Sequence, residues 1–259
     1  MSNKLPNYEE QPIVIDGRKV GEYAYSRCDG RRKALIIGIN YTQSAETTLT
    51  HSVSDAIELT TFLEEHHGFD RENIVLLTDE PGIEPLRQAT RFNMVNAMHW
   101  LVKDARMNDS LFFYFSGHSG EIADNNGDEH DGLDEVILPM DYSARDSNHI
   151  VDDDMHDWMV QGLPRGARLT AIFDSYNSGT ALDLPWIYDT DGNKKEPALK
   201  GSLWKDLKTA RKESTFLKGT IDALSKYNKK KDIVKNAYIR KNAMADVVMI
   251  SVTKDNEIT

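Results

Sequence analysis

Cysteine is almost missing from this sequence: Cys28 is the only one in 259 residues. No disulfide can form within the chain, which sets aside the disulfide-stapled secreted folds and favours a cytosolic or nuclear setting. Long apolar runs are missing too. No stretch approaches the roughly 20 residues of a membrane-spanning helix, and Met1 to Pro12 is polar, without the apolar centre of a signal peptide. Positive charge is in deficit, with 31 Lys and Arg against 42 Asp and Glu, a net charge of −11. That argues against a general nucleic-acid or anionic-membrane binder, since both need a basic field. An acidic surface fits plain solubility, or cationic partners such as basic peptides and metal ions. There is no internal repeat and no low-complexity tract.

What is present is an ordinary globular composition, 39% hydrophobic and 28% charged, enough for one large α/β domain or two small ones. Lys33 to Ile39 is a short continuous apolar run, the pattern of a strand buried on both faces. Val53, Ala56, Leu59, Phe62 and Leu63 repeat at helical spacing within Ser52 to His66. Asn73 to Asp79 reads as a second buried strand. Met94, Ala97, Met98, Leu101 and Val102 predict a helix from about Arg91 to Ala105, with Thr90 as its N-cap. Ser110 to Gly117 is a third strand, Glu135 to Met140 a short strand or bend, and Met155 to Val160 a short helix behind Asp152-Asp153-Asp154. Arg168 to Phe173 and Val247 to Val252 are further strands. Strand and helix alternate, which predicts an α/β fold with a mainly parallel central sheet between helices.

In such a sheet, ligands sit beyond the carboxyl ends of the strands. Two strand ends carry reactive or glycine-flanked groups: Ser116-Gly117-His118-Ser119-Gly120 and Asp174-Ser175-Tyr176-Asn177-Ser178-Gly179. Glycines beside a histidine let backbone approach a substrate closely.

These two turns resemble the Ser-Gly-His-Gly strand end and the Asp-Ser-Cys-His-Ser-Gly nucleophile turn of metacaspases, caspase-like cysteine peptidases. Gly30 to Tyr41, Trp100 to Ala105, Asp183-Leu184-Pro185 and Ala245 to Met249 resemble fungal-type members in order and spacing. The resemblance implies a caspase-like fold and a peptidase with a Cys–His dyad, specific for Arg or Lys and dependent on calcium. It places His118 as the dyad base and Tyr176 in the nucleophile position. A thiol of pKa about 8.5 is a few per cent ionised near neutrality, whereas a phenol of pKa about 10 is ionised at roughly one part in a thousand. Asn177 stands where the family has His, and Ser119 where it has Gly. Cys28 precedes the first core strand in a family-like stretch and is no displaced nucleophile; neither Ser175 nor Ser178 sits in a Gly-x-Ser-x-Gly elbow. The expectation is a chain without peptidase chemistry.

By the same resemblance, the pocket for a basic side chain falls on Asp55, Ser52, Ser116 and Asp174. Taken alone, Asp55 is equally a carboxylate favoured by a helix dipole, and Asp174 a strand-end residue accepting turn N–H groups. Calcium ligands map onto Asp134, Asp152, Asp153 and Asp183, although Asp152 and Asp153 also suit the start of a helix. The acidic run Asp124 to Asp131 is no EF-hand, because Gly127 is its fourth residue where the sixth is required.

The expected organisation is a polar segment at 1–25, a caspase-like core at 26–188, a lysine-rich linker or insertion at 189–242, and at 243–259 the truncated start of a small-subunit region. A missing end would leave apolar surface uncovered. The expected function is a calcium-responsive binding or regulatory pseudo-peptidase, cytoplasmic or nuclear, with basic peptides or active paralogues as partners. The alternatives are an active calcium-dependent endopeptidase linked to cell death or stress, and a non-functional fragment.

Overall fold

The computed structural model describes residues 11–15, 18–43, 47–123, 133–175, 181–182, 184, 187–188, 194–195 and 244–251, with backbone alone for 11–23, 187–188 and 194–195. Five parallel strands form the centre, in the order β12-β9-β5-β3-β4. These are β3 (Arg32–Gly38), β4 (Ile74–Thr78), β5 (Ser110–Ser116), β9 (Arg168–Asp174) and β12 (Asp246–Ser251). Each begins close to where its apolar run begins in the sequence.

Side chains alternate across a strand, and both sets of β3 are fully buried: Ala34 and Ile36 on one face, Leu35 and Ile37 on the other. Helix α1 (Ser52–His67) covers the first face, where Ala56 and Leu63 pack with Ala34, Ile36, Phe69 and Tyr114. Helix α2 (Arg91–Val102) covers the second, the face from which Lys33 reaches it. The arrangement is therefore α/β/α, a mostly parallel sheet with flanking helices. Full burial of each Leu, Ile or Phe stabilises it by about 1.5–3 kcal/mol.

Local chemistry fixes the helix ends. Thr90 Oγ1 accepts the Asn93 N–H at 3.3 Å, the N-cap expected from the sequence. Helix α2 stops at Val102, three residues short of the expected end. Lys103 leaves helical geometry and Asp104 turns the chain at φ 57°, while the Lys33 ammonium caps the carbonyls of Trp100 and Lys103 and lies 4.2 Å from the Trp100 ring centroid. Burial lowers the Lys33 pKa, and the Arg31 charge lowers it further. Gly68 ends α1 in the left-handed region at φ 66°.

At the amino-terminal end of the sheet, buried Asp109 accepts the backbone N–H groups of Arg31 and Arg106, each at 2.9 Å, and pairs with the Arg31 guanidinium at 2.9 Å. Asp246 likewise accepts from Arg168 at 2.8 Å and from the Ser26 N–H at 3.1 Å. β12 is an edge strand, and Val248 and Ile250 are exposed on it.

β1 (Gln11–Ile15) and β2 (Arg18–Tyr23) form an antiparallel hairpin. β6 (Ser119–Ala123) follows the His118 turn and joins β7 (Leu133–Ile137) and β8 (Ile150–Val151) in a small sheet. Helix α3 spans Asp152–His156, so the three aspartates form its first turn instead of preceding it; a wider helical turn, Asp157–Gln161, follows. β10 (Ile187–Tyr188) and β11 (Lys194–Lys195) form a two-residue hairpin. Six short strands have no counterpart in the elements expected from the sequence: β1, β2, β6, β8, β10 and β11.

The chain divides into two compact units: 1–122 with 135–183 and 243–259, and 123–134 with 184–242. The first carries the parallel sheet. The second contains β10, β11 and Asp134. Apart from Lys194 and Lys195, the lysine-rich stretch expected at 189–242 lies outside the described residues, as do Met1 to Glu10 and the acidic run from Asp124. Among the described residues, no helix is long and apolar enough to cross a membrane.

Candidate active site

The parallel register brings three strand ends level. Gly38 of β3 pairs with Ser116 of β5, and Ser116 pairs with Asp174 of β9. The two turns singled out in the sequence therefore leave the sheet side by side. Ser116 is buried, and its carbonyl accepts the Ile39 N–H at 3.0 Å.

His118 is held from the loop after β3. Its Nε2 lies 2.6 Å from the Thr47 carbonyl oxygen. A carbonyl only accepts, so Nε2 carries the proton and, in neutral imidazole, Nδ1 keeps the free lone pair. That is the tautomer of a base working through Nδ1. The His118 N–H donates to the Tyr41 hydroxyl at 2.9 Å, and the two ring centroids are 4.5 Å apart.

Residues expected to line the basic pocket come together on the α1 face. Gly38 lets α1 approach β3 closely: a Cβ there would lie 2.3 Å from the Ser52 carbonyl oxygen. Ser52 is buried and Asp55 half-buried in the first helical turn. The N–H of Val53 is capped by Asn40 Oδ1 at 3.2 Å. Beneath these lies Tyr114 of β5, packed against Ala56. Its hydroxyl donates to Asp174 Oδ2 at 3.4 Å and is hydrogen-bonded by the Ser116 side chain. Burial chiefly, then the charges of Asp174 and Asp55, push its pKa up to about 12 against the opposing Ser116 bond. Both carboxylates thus act on one phenol, which stays neutral at physiological pH. The signal was available: Tyr114 is two residues before Ser116 and so shares its strand face.

The proposed calcium ligands stand differently. Asp152 is 2% exposed; its Oδ2 accepts the Glu135 N–H at 3.1 Å and its Oδ1 the Asp153 N–H at 2.8 Å. This buried carboxylate, with half-buried Asp153 beside it, stands at the start of α3, and its oxygens are of the donor type that suits a hard cation. Asp134 is buried and belongs to the second unit; Asp183 lies outside the described residues. Among the described residues, no group of three or more His, Cys, Asp or Glu is arranged to hold a metal ion.

Tyr176, Asn177 and Ser178 lie outside the described residues, whereas Ser175 is buried. Cys28 precedes β3, whose opposite end carries the site, and its Sγ lies 3.7 Å from Ser26 Oγ. A groove of about 860 Å³ along β4, lined by Arg71, Val75 and Leu86 among others, contains none of the candidate residues.

A family model described as "Metacaspase, peptidase C14 domain" matches residues 32–185. Metacaspase-1 of Pyricularia oryzae is 56% identical over 177 residues, covering 68% of this chain and 44% of the relative. Metacaspase-1 of Ajellomyces capsulatus is 46% identical over 263 residues, covering 98% of this chain and 73% of the relative. Metacaspase-1A of Aspergillus oryzae is 46% identical over 258 residues, 96% and 60% respectively. The chain thus spans between 44% and 73% of the length of these relatives. A crystal structure of a Geobacter sulfurreducens protein is similar at TM-score 0.45 and 25% identity, over 59% of this chain and 53% of that one.

Proposed function

Because this chain belongs to the metacaspase family, we propose that it is a member without peptidase chemistry, a calcium-responsive cytoplasmic regulator that holds basic peptides or the basic segments of active paralogues. One conjunction carries the reading. Asp174 and Asp55 both act on the Tyr114 phenol beside Ser116, which supports an acidic strand-end pocket, while the sequence has Tyr176 at the position that the resemblance assigns to the nucleophile.

The chemistry follows from the groups present. An Arg or Lys side chain entering this pocket meets two carboxylates and can form charge-assisted hydrogen bonds with them. Tyr114 adds no charge of its own and supplies a donor to Asp174. Cleavage needs a nucleophile that His118 can deprotonate. A phenol of ordinary pKa about 10 is almost wholly protonated near neutrality, and its bulk hinders the approach that a thiolate makes to the carbonyl. Calcium, held by Asp152 and Asp153, would relieve repulsion between their carboxylates and stabilise the folded state.

One observation favours a second reading, a working endopeptidase specific for Arg or Lys. The bond to Thr47 keeps His118 in the tautomer of a base. The test separates the two: turnover of Arg- and Lys-terminated fluorogenic peptides in millimolar calcium, for the parent and for a Tyr176→Cys, Asn177→His double variant. A silent parent and an active variant are expected. Turnover by the purified parent, unchanged in preparations free of other proteases, overturns the proposal and establishes the second reading.

A further inference from the structure

The loop after β3 does more than supply the Thr47 carbonyl. Tyr41 sits in it at φ 53°, a left-handed conformation unfavourable for an aromatic residue. Two neighbours hold it there. Asp79, buried at the end of β4, accepts the Asn40 N–H through Oδ1 at 2.8 Å and the Thr42 N–H through Oδ2 at 3.3 Å, one on each side of Tyr41. The Leu49 N–H donates to the Asn40 carbonyl at 2.8 Å and closes the base of the loop.

The side chain then spans two further segments. Tyr41 Oη accepts the His118 N–H at 2.9 Å and donates to the Leu138 carbonyl at 2.5 Å. The Leu138 N–H in turn donates to the His118 carbonyl at 3.0 Å. The phenol ring lies against the imidazole, and the space for it exists because residue 117 is glycine: a Cβ there would stand 2.8 Å from Tyr41 Oη. His118 is therefore gripped by its backbone, its ring face and its Nε2, the first two from Tyr41 and the third from Thr47. Buried phenols usually find one partner; this one has both a donor and an acceptor, each at a segment flanking the site.

We propose that Tyr41, braced by Asp79, is the positioning residue of His118. Its oxygen fixes the His118 backbone and its ring fixes the imidazole plane, so that Nε2–H stays on Thr47 and Nδ1 stays free. Strain at φ 53° is stored where it serves the base. The proposal rests on His118 holding the dyad-base position, but its readout needs neither turnover nor a bound peptide.

The experiment is ¹⁵N spectroscopy of the imidazoles in the full chain labelled at histidine, at a pH where the ring is neutral, with His118 assigned by its loss in His118→Gln. In the parent, His118 is expected almost wholly as the Nε2–H tautomer. Tyr41→Phe keeps the ring contact and removes both hydroxyl bonds, and the tautomer ratio should fall about fivefold, the equilibrium worth of one ordinary hydrogen bond. Asp79→Asn retains one acceptor and should give a smaller fall in the same direction. A parent without a dominant tautomer overturns the proposal. So does a folded Tyr41→Phe with the parental ratio, whatever its melting temperature; if Tyr41→Phe does not fold, an unchanged ratio in Asp79→Asn does the same. Failure to bind or cleave basic peptides would count against the proposed function alone.

Discussion

Replacing Gly38 by alanine tests the geometry that joins α1 to the strand ends. The added Cβ would lie 2.3 Å from the Ser52 carbonyl oxygen and 2.7 Å from Ala56 Cβ. Ordinary separations are about 3.3 Å for carbon to oxygen and at least about 3.5 Å for carbon to carbon, so the contacts must open by roughly 1 Å. Neither obstacle can rotate away, because one is backbone and the other a β-carbon. The start of α1 has to move off β3, against a core in which Ala34, Ile36 and Ala56 are fully buried. Overpacking of this kind costs about 1–3 kcal/mol, and backbone contact places this case near the upper end, at about 3 kcal/mol. For a chain of this size that corresponds to a fall in Tm of about 10 °C. The displaced turn carries Ser52 and Asp55, so affinity for Arg-terminated peptides should fall as well. Urea denaturation read by circular dichroism gives the stability, and calorimetric titration with the peptide gives the affinity. A Gly38→Ala protein within about 0.5 kcal/mol of the parent, the ordinary range of surface substitutions, would refute the close-packing argument.

Three further outcomes are expected. Asp109→Ala should cost about 3 kcal/mol in the same denaturation assay, because it leaves the N–H groups of Arg31 and Arg106 without their acceptor and takes the ion-pair partner from the Arg31 guanidinium; a cost below 1 kcal/mol would be inconsistent with that hub. Above neutrality, Tyr114 keeps its proton in the folded protein up to about pH 12 but loses it near pH 10 when unfolded. Its contribution is therefore intact below about pH 10 and lost as pH rises toward 12, and the pH dependence of Tm should flatten in that window in Tyr114→Phe. Calcium at about a hundred times its dissociation constant should stabilise the parent by about 2.7 kcal/mol, read as a rise in Tm that Asp152→Asn abolishes. No rise in millimolar calcium would remove the metal from the proposal.

The sequence by itself determined the sheet, its flanking helices and the family. The run Ala34 to Ile39 is apolar at every position because both faces of β3 are covered, and that demand is written residue by residue. That Ser116, His118 and Asp174 stand together at the carboxyl ends of neighbouring strands was legible from the apolar runs that end at them. The hairpin at 11–23 was missed although Asp16-Gly17, a strong two-residue hairpin signal, lies between its strands. The end of α2 was misplaced because its stop is chemical and distant: Lys33, some seventy residues earlier, caps carbonyls that no local pattern marks. Tertiary structure alone decided the rest of the site. Tyr41, Thr47 and Asp79 look in the sequence like an aromatic, a hydroxyl and a carboxylate in two loops. They become a brace for His118 only because β3, β4 and β5 are neighbours in parallel and deliver their carboxyl ends to one edge. Tyr114 reads as a core aromatic until Asp174 of β9 comes within reach of its hydroxyl. Local pattern records burial, which each residue senses for itself; a hydrogen bond between distant segments depends on register and direction, which exist only once the chain is folded.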